Sequence, residues 1–240
     1  MIRIGKRPWR AGLSAAIAVL AMVCLAAFGT SAVAAQKANK ERTEAQGIVD
    51  MAKATFNSFM ADENFSWLHE NLKNTKGLLI YPQVLKAGFI FGGSGGTGVL
   101  VVRDEKTNDW SQPAFYTLGA VTFGLQIGGE AAQVVVMAMS QKAVDSLLTS
   151  SLKLGGDISV ATGPVGVGAK GNVTADFISF AKSKGLYAGV NLEGSSVNVR
   201  DKLNEAYYGK AVTPVDILVK KDVSSKRSAE LLAALKKATK

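Results

Sequence analysis

From Lys76 to Gly194 the chain sets short apolar strands between glycines, and this pattern limits the fold more than any other feature. Leu78-Leu79-Ile80-Tyr81 is a strand stopped by Pro82. Gly88-Phe89-Ile90-Phe91 and Val99 to Arg103 predict a hairpin, with Gly92 to Gly98 as its loop. Trp110 to Leu118 is a further strand in which Pro113 marks an edge or a bulge. From Ala120 to Gly128, Val121, Phe123, Leu125 and Ile127 share one face, and Thr122, Gly124 and Gln126 the other. Gln133 to Met139 is apolar on both faces, as a central, doubly covered strand requires. Beyond Gly155-Gly156 the alternation returns: Ile158 with Val160, Val165 with Val167, then Ala175 to Ala181 and Leu186 to Leu192. Many short strands with closely spaced turn signals predict a barrel or sandwich.

Helical patterns flank this block. Across Asn39 to Asn74, Ala45, Ile48, Val49, Ala52, Phe56, Phe59 and Met60 recur at three- and four-residue spacing. A second helical piece follows around Ser66 to Leu72. Ser140 is placed to cap a helix over Gln141 to Leu152. Asp201 to Tyr208, Thr213 to Val219 with Pro214 at its first turn, and Ser225 to Ala238 complete the set. The predicted class is α+β: a coiled antiparallel β-sheet, barrel- or sandwich-like, flanked by N- and C-terminal helices. No linker or repeat divides residues 35–240, which read as a single domain.

The first 34 residues read as a cleavable secretory signal. Arg3, Lys6, Arg7 and Arg10 precede an apolar run from Leu13 to Phe28, and Ala32-Val33-Ala34 supplies the small residues of a cleavage site. Val33-Ala34-Ala35 is a second option, and the apolar run is short for a membrane anchor. Val23 directly before Cys24 fits lipoprotein processing poorly, so Cys24 is an ordinary residue of the apolar run. Cleavage removes four cations and no acid, taking the formal charge from +9 to +5. It also removes the only cysteine, which excludes thiol catalysis and cysteine-based metal sites. The expected location is the periplasm, peripheral to a membrane. The modest positive charge favours anionic partners without pointing to nucleic acid.

Reactive side chains are scarce. Gly93-Ser94-Gly95-Gly96-Thr97-Gly98 has the spacing of a dinucleotide fingerprint, but β-branched residues follow it where a helix is required. His69 is the only histidine and has too few partners for a metal site or a serine triad, which leaves a solvated or capping role. Ser94, Ser140, Ser195 and Ser196 lie in no nucleophile motif. Glu130 and Glu193 are the one candidate acid–base pair, for a hydrolase. No cofactor, metal or catalytic centre is expected.

The C-terminal segment carries Lys220, Lys221, Lys226, Arg227, Lys236, Lys237 and Lys240 against Asp222 and Glu230, with Leu231, Leu232 and Leu235 as a narrow apolar stripe. Such a helix either lies on an anionic bilayer or docks on the core with a solvated basic face.

The strand block and its flanks resemble the SYLF domain family, from about Val49 to Val219. The matching stretches are Lys76 to Pro82, Lys86 to Phe89 with the glycine run through Arg103, and Gly163-Pro164-Val165-Gly166. Ser183 to Gly194, Asn204, Tyr207-Tyr208-Gly209 and Asp216-Ile217-Leu218 follow in order. The resemblance implies binding to phosphoinositides or other anionic lipids, without catalysis. With an export signal, the anionic glycerophospholipids of a cell envelope are the better candidates. No SH3-like or zinc-finger extension is seen, so actin-patch roles are not carried over. Lys76, Lys86, Arg103, Lys182 and Lys184 are the cations inside the matching stretches. With Lys226, Arg227, Lys236 and Lys237 they form the candidate lipid-binding set. The alternative is a cell-envelope structural or protein-interaction scaffold with an envelope protein as partner.

Overall fold

The computed structural model describes residues 36–88, 91–123, 128–171, 173–183, 186–188 and 192–240. The chain divides into two compact units, residues 1–41 and 42–240. In the first, residues 36–41 are described and are helical; the expected signal, with Cys24, lies outside the described residues.

The larger unit begins with helix α1, residues 42–60, whose Ala45, Ile48, Val49, Ala52, Phe56 and Phe59 are buried as their spacing predicts. Helix α2, Ser66–Asn71, lies between two single 3₁₀ turns, Glu63–Phe65 and Leu72–Asn74. His69 Nε2 donates to the Phe59 carbonyl at 2.8 Å, a capping role near the end of α1.

The strands are β1 (Gly77–Gly88), β2 (Phe91–Val102), β3 (Ala114–Phe123), β4 (Gly128–Ala138), β5 (Ser151–Lys153), β6 (Val160–Thr162), β7 (Phe177–Ser183), β8 (Leu186–Ala188) and β9 (Ser196–Val199). They form one curled half-barrel sheet in the order β5-β9-β3-β2-β1-β4-β7-β6, with β8 paired to β7. Every pair is antiparallel except β6–β7, which is parallel, so the sheet is mixed rather than purely antiparallel. Helices α3 (Gln141–Leu147), α4 (Asp201–Tyr208) and α5 (Ala229–Ala238), with a π-helical turn at Val215–Val219, complete the unit.

In the middle of the sheet both faces carry buried side chains. Leu78, Ile80, Val99, Val101, Phe115, Val135, Met137, Ile178 and Phe180 pack with α1, α2, α4 and α5. Leu79, Tyr81, Leu100, Tyr116, Val134 and Val136 pack on the other face with α3 and the π-helical turn. This explains why β1 and β4 read as continuous apolar runs instead of alternating ones.

The glycine run corrects the predicted hairpin loop. Gly92 to Gly98 lies inside β2: the whole run pairs with β3, and Gly92 to Gly95 pair with β1 as well, Gly95 facing Leu85 on one side and Gly119 on the other. The reason is in β1, which does not stop at Pro82. It bulges between Tyr81 and Val84, where a residue without an N–H is tolerated, and continues to Gly88. The bulge pushes backbone into β2. A Cβ on Gly96 would lie 2.2 Å from the Gln83 carbonyl oxygen, and one on Gly98 would lie 2.2 Å from that of Ile80.

Other boundaries also differ. The strands expected at Trp110 to Leu118 and Ala120 to Gly128 are one strand up to Phe123, with 124–127 outside the described residues. Helix α3 ends at Leu147, and Leu152 belongs to β5. Val165 and Val167 lie on a loop, because Gly166 (φ 130°) and Gly168 (φ 69°) turn the backbone out of strand geometry.

Helix α5 docks on the core, which resolves the two readings of the C-terminal stripe. Leu231 and Leu235 are buried, Glu230 pairs with Lys53 of α1, and Trp110 Nε1 donates to Thr239 Oγ1 at 3.4 Å.

Two substitutions test this packing. Gly98→Ala should cost about 1–3 kcal/mol in urea unfolding, whereas Gly119→Ala, whose Cβ meets nothing within 4 Å, should change stability little. Equal effects would refute the crowding at β1. Leu235→Ala should cost about 2–5 kcal/mol; a near-zero change would mean that α5 does not pack on the core in solution.

Candidate functional site

The stretches of sequence that stand out most turn out to hold the fold. Asn204 is fully buried and its Oδ1 accepts the Phe115 N–H at 2.9 Å, at the start of β3. Tyr207 packs edge-on against Phe115, and Tyr208 donates its hydroxyl to the Pro113 carbonyl at 2.6 Å. Gly209 ends α4 in the left-handed region, φ 73°. A Cβ on Gly163 would lie 2.1 Å from the Phe180 ring. Asp216 Oδ2 accepts from Thr213 N and Oγ1 at 2.9 and 2.6 Å, capping the π-helical turn. These residues are occupied in structure-making contacts.

Three of the candidate cations come together around the turn joining β2 to β3. Arg103 bridges to Trp110 and donates to the Lys73 carbonyl and, at 2.6 Å, to Asn108 Oδ1. Lys76 pairs with Glu105, and Lys236 of α5 reaches Asp109 at 2.5 Å. Lys221 joins them through Asp104 at 2.7 Å, and Lys106 lies on the turn itself. Lys221 was not among the candidates, because its partner is 117 residues away in sequence. The Lys221 and Lys236 ammonium groups hold Asp104 and Asp109 below the usual carboxylate range. Lys76, Arg103, Lys221 and Lys236 thus lie around Asp104, Glu105 and Asp109, with the exposed Lys106 on the turn and the exposed Lys73 bonded to Arg103 through its carbonyl. Exposed ion pairs of this kind contribute little to stability, so an outside anion competes for the same lysines at little cost.

The other candidates are placed apart from this turn or are committed elsewhere. Lys86 lies on β1 opposite Ser94 and Glu130. Lys226 and Lys237 are exposed, and Arg227 is half-buried, with its carbonyl accepting from Gln46 Nε2 at 3.3 Å. Lys184 lies outside the described residues. Lys182 is mostly buried, its Nζ 2.8 Å from Asp62 Oδ2 and 3.3 Å from Ser58 Oγ. It lines a cleft of about 540 Å³ with Ser58, Ala61, Asp62, Glu63, Asn64 and Val167.

No group of three or more metal-ligating side chains is present among the described residues, and no described helix is long and apolar enough to cross a membrane. The perturbed titrations are of two kinds: carboxylates and Lys220 shifted toward their charged forms by hydrogen bonds and ion pairs, such as Asp176 with Ser140 and Asp216 with Lys220, and tyrosines raised by burial, such as Tyr81 and Tyr208. Neither pattern is an acid–base pair poised near neutral pH. Glu130 opens β4 across from Lys86, and Glu193 sits in the loop before β9.

The Lys182 hydrogen bond holds Asp62 below the usual carboxylate range. A depressed folded value stabilises the fold above the unfolded pKa of about 3.9, and that contribution is lost as pH falls through the folded value. The stability gap between native protein and Asp62→Asn in urea unfolding should therefore be constant near neutral pH and shrink below about pH 4. A gap that widens on acidification would contradict the pairing.

The chain is similar in sequence to known proteins. A family model described as Ysc84, Las17-binding protein actin regulator, matches residues 119–238. The chain is 40% identical over 155 residues to Protein YSC84 of Saccharomyces cerevisiae, covering 61% of this chain and 32% of that protein. It is 39% identical over 155 residues to LAS seventeen-binding protein 3 of the same yeast, covering 61% and 33%. It is 36% identical over 154 residues to SH3 domain-containing YSC84-like protein 1 of Homo sapiens, covering 61% and 44%. The matched region is thus about a third to under a half of the length of these relatives. With half of its length matched by the family model and a half-barrel sheet flanked by helices, the chain belongs to the Ysc84 (SYLF) family.

Proposed function

We propose that this chain is a non-catalytic domain that binds the anionic surface of a phospholipid bilayer. SYLF is a lipid-binding domain. The observation that carries the anionic reading is the gathering of Lys76, Arg103, Lys221 and Lys236 around a turn with three carboxylates, with Lys73 and Lys106 exposed on the adjoining backbone. Each cation held near an anionic bilayer contributes about 1 kcal/mol. Three to five give about 3–5 kcal/mol, weak capture by a single domain. Lys226 and Lys237 add exposed charge on the C-terminal segment. Leu231 and Leu235 are committed to the core, so electrostatics and not insertion of α5 supplies this binding. The protein acts after export, with residues 1–34 removed, at the periplasmic face of an envelope membrane.

A second reading is a protein-interaction scaffold. It is favoured by the name of one relative, a LAS seventeen-binding protein, and by a sheet that both ends of the chain cover with helices.

Flotation with vesicles containing anionic lipid should show binding that falls as salt rises from about 0.05 to 0.5 M. Lys73→Glu with Lys106→Glu, both exposed, should weaken it further without lowering the melting temperature. Salt-independent binding, equal binding to zwitterionic vesicles, or an unaffected double variant would defeat the electrostatic reading. Recovery of one stoichiometric protein partner without lipid would favour the scaffold. Export predicts that the protein from a periplasmic extract begins at Ala35; a full-length chain retained in the cytoplasm would refute it.

A further inference from the structure

The cleft beside Lys182 has a different chemistry from the basic turn. Its floor is the end of α1 and the turn that follows, and its rim is the loop over residues 163–171. That loop is fastened to the 3₁₀ turn and α2. Gly166 N donates to the Asn64 carbonyl at 2.8 Å, Ser66 Oγ to the Gly166 carbonyl at 3.3 Å, and Trp67 Nε1 to the Gly171 carbonyl at 2.9 Å. The two glycines with positive φ present Val167 to solvent, 73% exposed, at the cleft mouth. A single exposed valine is unremarkable by itself. Here it is held out on a fastened loop over a polar cleft.

The cleft carries both signs of charge. Asp62 is fully engaged: Oδ1 accepts from Asn64 N and Nδ2 at 3.2 and 2.9 Å, and Oδ2 receives Lys182. Lys182 has three N–H donors. Two are aimed at Asp62 and Ser58, which leaves one for an incoming acceptor, and the Ser58 hydroxyl can donate beside it. Glu63 is exposed at the same mouth, and no ion pair engages it among the described residues. Two carboxylates against one ammonium disfavour a purely anionic ligand, and the lysine disfavours a simple cation. A ligand with a phosphate and a primary ammonium a few bonds apart satisfies both, and an apolar tail on that ligand would continue past Val167.

We propose that this cleft is a headgroup site for an aminophospholipid of the phosphoethanolamine class. The phosphate lies against Lys182 and Ser58, the ammonium donates to Glu63, and Val167 enters the bilayer interface. The site rests on the lipid-binding reading and adds to it a contact that the basic turn does not supply. A choline headgroup has no N–H to give Glu63, so the site discriminates between two zwitterionic lipids of equal net charge.

The test uses the native protein and two variants at exposed positions, Glu63→Gln and Val167→Ser. Vesicles have the same fraction of anionic lipid in a background of either phosphatidylethanolamine or phosphatidylcholine. Native protein should bind the ethanolamine vesicles about tenfold more tightly. Glu63→Gln should abolish that preference and keep binding to the choline vesicles. Val167→Ser should weaken binding to the ethanolamine vesicles by roughly tenfold. Soluble glycerophosphoethanolamine should reduce the preference when added in excess. Native protein that binds both vesicles equally would overturn the headgroup site while leaving the anionic-surface reading intact. Native protein that binds neither would overturn both. An ethanolamine preference insensitive to both variants would place it elsewhere and refute this cleft. Binding of the soluble headgroup with no effect of Val167→Ser would refute the bilayer as its source.

Discussion

The close approach of Gly96 and Gly98 to the bulged backbone of β1 is the contact on which the rest of the structure depends. β1 and β2 are the middle of the sheet, and β4 pairs along the other side of β1. The bulge at Tyr81 to Val84 bends this central pair, and only strands without side chains at the contact can follow it. The bend in turn gives the half-barrel two buried faces. One receives α1, α2, α4 and α5, and the other receives α3 and the π-helical turn. A flat pair at this point would separate those two layers from their seats.

Much of the architecture was legible because its determinants are local. The stripe of α1, the two-sided apolar run of β4, the Ser140 cap and the helix ending at Gly209 each depend on residues within a few positions of one another. The glycine run was misread because its cause is not local. A row of glycines signals a turn until the carbonyls of Ile80 and Gln83 are known to occupy the space where side chains would stand. Val167 reads as strand because a short apolar alternation does not show whether a strand partner is present, and Leu152 reads as helix because its strand partner, Val197, lies far along the chain.

The candidate site shows a related limit. Sequence reveals where lysines are but not what they touch. Lys182 proved mostly buried beside Asp62, and Lys76, Arg103 and Lys236 proved to share one turn with Lys221. The stretches that mark the family, around Gly163, Asn204 to Gly209 and Asp216, are engaged in packing, strand entry and capping. Family membership therefore reports the scaffold.

The bracing of α1 by the far end of the chain has a topological consequence. Gln46 reaches the carbonyl of Arg227, 181 residues away, and Lys53 reaches Glu230, 177 residues away. Leu231 and Leu235 share a cluster with Ala45, Ile48 and Phe56. The loop closed by these contacts encloses the whole sheet, so the first helix acquires its complete set of neighbours only when the last one is in place. Such long-range closure is intrinsically slow. The sheet is thus fastened like a book by a clasp joining its front and back covers.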